Sequence, residues 1–333
     1  MIPAPHPSSS TPNWQQQLRE AWRDGHALLA HLGLDAEAVG LDPDSPFPLR
    51  VPRAFGDRIR PGDPSDPLLR QVLPTRRERT AVDGFTADPV GDSASRAGHG
   101  LLHKYTGRVL VITTGACAIH CRYCFRREFP YAEAQAVPSE WDALADYLRA
   151  HPDVTEVILS GGDPLMLATD RLRRLTDRLT GIGHLRRLRI HSRMPVTLPD
   201  RIDAELTDWL GELPWSCVVV VHANHANEFD ASAAAALARL REAGAWVLNQ
   251  AVLLADVNDD AAALAGLMEA GFDAGALPYY LHLLDRVAGS AHYEVDEASA
   301  RATMDQLRRV LPGYLVPRLV RERAGAPYKL PVL

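Results

Sequence analysis

From residue 108 the chain keeps two hydrophobic rhythms. Short runs of β-branched and aliphatic residues recur as RVLVITT (108–114), TEVILSGG (155–162), LRRLRIHSR (185–193), SCVVVVHAN (216–224), AWVLNQAVLL (245–254) and LPYYLHLLD (277–285). Between them, over 139–150, 168–180, 199–210, 231–243, 259–270 and 296–310, apolar residues return every three or four positions, the spacing of an amphipathic helix. Ser139, with Asp142 three residues on, reads as a capping box opening the first of these helices. Strands about 30 residues apart with helices between them predict parallel βα units. Six units predict an α/β fold, a partial (β/α)6 barrel of TIM type rather than a closed eightfold one. In such folds the chemistry sits on the loops that follow the strands.

The first hundred residues read differently. Residues 1–12 are rich in Pro and Ser and are expected to fray. Trp14, Leu18, Trp22, Leu28 and Leu29 are spaced for one or two short helices over 13–34. From 41 to about 100, Pro, Gly and Asp dominate, which predicts an irregular wrapping segment. The division expected is an N-terminal helical and irregular region, 1–100, and a core, 101–333.

Composition narrows the class without naming it. The 333 residues are 46% hydrophobic and 23% charged, ordinary for a globular protein. A net charge of −6 gives no general attraction to nucleic acid or to a membrane surface. The arginines of RLRRLTDRLTGIGHLRRLRIHSR (171–193) read as the solvated face of an amphipathic helix rather than a nucleic-acid patch. The first residues lack a basic and an apolar signal region, and no apolar run reaches the roughly 18–20 residues of a membrane span. Clustered thiols with no disulfide framework point to the cytoplasm.

Candidate chemistry begins at ACAIHCRYCFRREF (116–129), which holds three of the four cysteines. Cys117, Cys121 and Cys124 form C-x3-C-x2-C directly after the first strand of the barrel. A closed zinc site prefers paired C-x2-C spacings; here zinc would take the three thiolates with His120 or a distant histidine. Thiolates equally suit an iron–sulfur cluster, and a [4Fe–4S] cube with three cysteines keeps one iron open. SGGDPL (160–165) follows the second strand, where Gly161 and Gly162 permit close backbone approach and Asp163 can accept from an ammonium. Cys217 reads as a buried free thiol. Of 36 basic residues only Lys104 and Lys329 are lysines, so chemistry requiring a side-chain amine has two candidates. Lys329 lies among apolar residues near the end of the sequence.

The cysteine spacing, the aromatic Tyr123 before the last cysteine and the place after strand one resemble the radical S-adenosylmethionine (SAM) signature. Over 14–333 the sequence resembles the short branch of the lysine 2,3-aminomutase family. GLLHKYTGRVL, CRYCFRREFPY, SGGDPL, HSRMPVTLPDRI, NHANE, NQAVLLADVND, PYYLHLLD and PYKLPV carry the likeness. The resemblance implies a [4Fe–4S] cluster on the three cysteines, with SAM at its open iron. SAM would be held by Gly161, Gly162 and Asp163, and also by Ser192, Arg193, His222 and Gln250. It implies pyridoxal 5′-phosphate (PLP) as a Schiff base on Lys329, its phosphate held by Lys104, Tyr105 and Arg108. Arg126 would take the carboxylate of L-lysine, and Asp285 with Glu322 its ε-ammonium. The implied reaction moves the amino group of L-α-lysine from C2 to C3, giving β-lysine for attachment by a separate ligase to translation elongation factor P. A reducing electron-donor protein is implied as partner, and a homo-oligomer is allowed. Glu322 stands where longer aminomutases carry Asp, and Lys104 where they carry Arg. The sequence also stops soon after Lys329, without the extension of the longer enzymes, which leaves their assembly in question here. The competing readings are an aminomutase for arginine or glutamate, and a non-enzymatic iron–sulfur or zinc module.

Overall fold

A computed structural model describes residues 13–98 and 100–333. The Pro/Ser-rich start expected to fray lies outside the described residues. One ten-stranded sheet carries the fold, in the order β1 (Arg96–Gly98), β2 (Leu101–Tyr105), β3 (Arg108–Thr114), β4 (Glu156–Gly161), β5 (Arg187–Ser192), β6 (Ser216–Val221), β7 (Trp246–Val252), β8 (Leu277–His282), β9 (Arg318–Arg321) and β10 (Leu330–Pro331). Strands β3 through β9 run parallel to their neighbours, while β1, β2 and β10 pair antiparallel at the two edges. The six expected strands are therefore present, in an open and not a closed barrel. Strand β9 is an addition: its four residues, RLVR, are too short to register as a periodic run.

Every residue of β4 is buried, as expected for a parallel strand covered on both faces. Helices Trp141–Ala150, Thr169–Leu179, Ala204–Gly211, Ala231–Glu242, Ala261–Asp273 and Glu297–Val310 alternate with the strands. The helix Thr169–Leu179 buries Leu172, Leu175 and Leu179 and turns its arginines outward. Arg173 pairs there with Glu212, Arg174 with Asp170 and Arg178 with Asp142, a solvated face as read from the sequence. The reading fails further on, where Arg187 and Arg189 belong to β5 and Arg193 is buried against Cys121.

The capping box at Ser139 does not form. Residues Pro138–Glu140 make a 3-10 turn, and helix Trp141–Ala150 begins after Glu140 without a side-chain cap. A capping box stands instead at His225 with Glu228, and at Thr75 the Glu78 carboxylate accepts from the Thr75 amide at 3.3 Å. Cys217 is buried within β6 as a free thiol, with burial pushing its pKa to about 12. Residues 28–73 bury a second apolar cluster, including Leu28, Phe55, Leu69 and Val72, and Ile119 of the cysteine loop inserts into it. No helix among the described residues is long and apolar enough to cross a membrane.

Candidate active site

A cavity of about 570 Å³ lies inside the curved sheet, within the range of about 300–1,000 Å³ usual for ligand sites. All the residues that the resemblance implies for the site line it: Cys117, Cys121, Cys124, Lys104, Tyr105, Arg108, Arg126, Gly161, Gly162, Asp163, Ser192, Arg193, His222, Gln250, Asp285, Glu322 and Lys329. Most come from the C-terminal ends of the parallel strands or the loops beyond them, as the fold predicts. Lys104, Tyr105 and Arg108 are the exceptions. The first two close antiparallel β2, Tyr105 pairs with Arg108, and Arg108 opens β3. They stand toward the strand end opposite the cysteine loop, about 20 Å away by strand rise for Arg108. The lining thus reaches from the mouth of the barrel toward its floor.

The cysteine loop is fixed from behind. Arg122, between Cys121 and Cys124, is fully buried and gives Nε and Nη2 to the two oxygens of Glu78 at 2.8 and 2.6 Å. Two further donors reach the Phe47 carbonyl and the Ser45 hydroxyl at 2.7 and 3.0 Å. Arg127 adds a third bond to Glu78 at 2.9 Å. His120 faces the cavity, yet its Nδ1 bonds the Pro48 carbonyl at 2.8 Å. Arg193 donates to Cys121 Sγ at 2.8 Å and is itself held by Gln71 and Glu228 at 2.6 and 2.8 Å. Burial raises the Cys117 thiol well above its ordinary range and brings Cys124 to about 11.

The glycine turn does a specific job. Gly161 has φ +121°, and a Cβ there would meet the Thr114 carbonyl at 2.6 Å. A Cβ on Gly162 would meet the Ala116 carbonyl at 2.4 Å. Both glycines let β4 run against the start of the cysteine loop, sealed by Gly162 N–H to Thr114 C=O at 2.7 Å. The Asp163 carboxylate is already engaged. It accepts from the Ser192 hydroxyl and from the Arg193 and Leu165 amides at 2.8, 2.8 and 3.0 Å. Burial nevertheless lifts its pKa to about 6 against those bonds.

At the amine end the side chains form a chain of alternating charge. The β9–β10 hairpin pairs Arg321 with Leu330, which sets the flanking Glu322 and Lys329 side by side. Lys329 Nζ lies 2.5 Å from Glu322 Oε2, and Lys104 Nζ lies 2.9 Å from Glu322 Oε1. Lys104 also meets the Val90 carbonyl at 2.9 Å and Asp92 Oδ1 at 2.5 Å, the latter too oblique for a well-formed hydrogen bond. Asp92 Oδ2 in turn accepts from Arg126 Nε at 2.7 Å. Burial opposes the charge on Glu322, but Lys329 and Lys104 override it and hold the carboxyl well below the usual range. Asp285 goes the other way: burial, reinforced by Glu322, pushes it up to about 7. The Arg108 guanidinium sits 4.5 Å over the Tyr105 ring.

The donor set fits the groups the sequence implies. Gln250 Oε1 and His282 Nε2 are buried with no hydrogen-bond partner in the protein, and both residues line the cavity. Buried polar atoms of this kind call for a polar ligand. His191, His222 and His282 are held neutral by burial, His222 at about 3, so they add no positive charge to a site that already holds several cations. Among the described residues no three His, Cys, Asp or Glu side chains converge to grip a single metal ion.

Sequence reasoning missed Asp92, Gln71, Glu78, Glu228 and His282. Asp92 and Glu78 lie in the irregular N-terminal segment, where no periodicity marks a residue as inward-facing. His282 closes β8 three positions before Asp285, inside the run 277–285 read as a strand, so its nearness to a strand end was an available signal.

With this geometry in hand, likeness to known proteins becomes informative. Residues 111–267 match the sequence profile of the Radical SAM superfamily. The chain is 47% identical over 326 residues to an L-lysine 2,3-aminomutase of Escherichia coli strain K12, spanning 97% of this chain and 95% of that one. It is 43% identical over 319 residues to an L-lysine 2,3-aminomutase of Haemophilus influenzae, covering 95% and 94%. To the L-lysine 2,3-aminomutase of Clostridium subterminale it is 34% identical, over 83% of this chain and 66% of that one. Identity of this extent over nearly the full length places the chain in the radical SAM L-lysine 2,3-aminomutase family.

Proposed function

We propose that this protein is a lysine 2,3-aminomutase that converts L-α-lysine to β-lysine. The observation that carries the reading is the meeting, in one cavity, of a three-cysteine loop with a lysine–carboxylate array able to hold a diamino acid. The proposed holders are Cys117, Cys121 and Cys124 for the cluster. For SAM they are Gly161, Gly162, Asp163, Ser192, Arg193, His222 and Gln250, and for PLP they are Lys329 with Lys104, Tyr105 and Arg108. When bound, the cluster with SAM supplies hydrogen-atom chemistry and PLP supplies an electron sink.

The chain's own residues orient and select. Arg126 presents a charged fork to the substrate carboxylate, a pairing that is both strong and directional. Asp285 and Glu322 give the ε-ammonium two acidic neighbours. A unit charge pair at 4 Å is worth about 4 kcal/mol gross at an effective dielectric near 20, so an amino acid without that ammonium leaves the acids unanswered. This disfavours glutamate. Burial of the array keeps water from the reacting carbons. A cytoplasmic setting, a reducing partner protein and delivery of β-lysine to elongation factor P through a ligase belong to the same proposal.

The test is anaerobic reconstitution with iron, sulfide, PLP and SAM, a chemical reductant, and chromatography of the amino acid product. Lysine should yield a β-isomer, with arginine and glutamate returned unchanged. Turnover of either of those in preference to lysine would overturn the substrate assignment.

A further inference from the structure

The residue between Lys104 and Arg126 has no role in the reading above. Asp92 is 1% exposed. Its Oδ2 accepts from Arg126 Nε at 2.7 Å and its Oδ1 stands 2.5 Å from Lys104 Nζ. Asp92 is itself held: its amide donates to Asp88 Oδ1 at 2.8 Å, and Asp88 Oδ2 takes the Ser93 amide at 3.0 Å. The backbone that carries the carboxylate is therefore fixed by its own turn, and the carboxylate itself faces the two cations. On the other side, Arg126 Nη1 donates to the Ser160 hydroxyl at 3.2 Å. Among the described residues nothing accepts from Nη2.

A guanidinium has five donors fixed in one plane. Two anchors on Nε and Nη1 leave that plane little freedom to turn, and the three N–H groups left over, one on Nη1 and both on Nη2, are available to a ligand. Asp92 also stands between two cations that would otherwise repel each other. Lys104 lies between Asp92 and Glu322, so the position of one anchor depends on the other.

We propose that Asp92 is a positioning residue that sets substrate specificity, orienting Arg126 to read an α-carboxylate. It favours amino acids over plain diamines. The inference rests on the lysine reading above, with Arg126 as the carboxylate partner.

Equilibrium dialysis of labelled L-lysine and of 1,5-diaminopentane against PLP-loaded, cluster-reconstituted enzyme tests it without turnover. The two ligands share the ammonium and the chain, and only lysine has the carboxylate. Asp92→Asn is expected to lower the lysine-to-diamine affinity ratio by about ten- to a hundredfold, the range for losing a hydrogen bond to a charged group. Ser160→Ala should shift the ratio the same way by a smaller factor, and it stands in should Asp92→Asn not fold. Borohydride labelling of Lys329 should be unchanged in both. If both ligands weaken alike, Asp92 only maintains the fold and the proposal falls. If the ratio stays at its wild-type value in either folded variant, the proposal falls as well. Should wild-type enzyme show no preference for lysine, the Arg126 assignment fails first, a distinct result.

Discussion

The two ends of the cavity are built by opposite means. At the cysteine end, three cysteines come from eight consecutive residues, and their loop is pinned by the buried Arg122, Arg127 and Arg193 through hydrogen bonds to Glu78, to Glu228 and to backbone carbonyls. At the amine end, Asp92, Lys104, Arg126 and the Glu322–Lys329 pair of one hairpin come from four stretches of chain and neutralise one another through shared contacts, with Asp285 facing the same cavity. The first end is a rigid socket. The second is an electrostatic chain in which each charge is set by its neighbours. A socket tolerates no change of shape, whereas a chain of charges responds to every change of ligand or proton.

Removing a covalent anchor from either end separates them most sharply. Lys329→Ala and Cys121→Ala should each bring lysine turnover to background, with opposite residual contents. The first should keep iron and lose borohydride-trappable PLP; the second should keep PLP and lose iron. Loss of both groups in both variants would mean that the ends are not independent.

Next in size is Glu78→Gln, which strands Arg122 and Arg127 without their shared counter-ion. Breaking a buried pair on one side costs about 3–5 kcal/mol, so denaturant unfolding should show a loss of that order together with lowered iron content. Gly162→Ala probes the same socket more gently. Its Cβ cannot coexist with the Ala116 carbonyl at 2.4 Å, and overpacking of this kind costs about 1–3 kcal/mol. PLP labelling should survive both changes.

The smallest effect, and the one that reports on the charge chain, concerns pH. Asp285 titrates near 7, raised by burial and by Glu322, with Lys329 and Lys104 pulling it down. Below that value it is neutral and offers the substrate ammonium no charge. The KM for lysine should therefore fall as pH rises through about 7, and Asp285→Asn should flatten the profile. The folded-state pKa lies above the unfolded one, so stability from the neutral acid is full below the ordinary carboxylate range. It is lost as pH rises through 7. Asp285→Asn should then lose less stability than wild type on going to alkaline pH.

The same contrast governs how much could be read from the sequence. The strand–helix alternation and the cysteine loop are local patterns, and both appear in the structure within a few residues of where periodicity put them. Lys329 stood out because the chain has only two lysines. The convergence of Arg126, Asp285 and Glu322 is set by the β9–β10 hairpin and by barrel curvature, and no spacing along the chain encodes it. Asp92 and Glu78 were invisible for a related reason: their segment is held by turns and caps, so neither a two-residue nor a 3.6-residue period marks their inward faces. The glycine turn was read as making room for a ligand, while the steric limit evident in the structure is the backbone of the neighbouring loop.

The most direct test of the account is where PLP attaches. Borohydride reduction of PLP-loaded enzyme, followed by peptide mass mapping, should place the pyridoxyl group on Lys329, beside Glu322. Labelling of Lys104, or of neither lysine, would contradict the assignment of one cavity to both the sulfur-ligated cluster and the aldehyde cofactor.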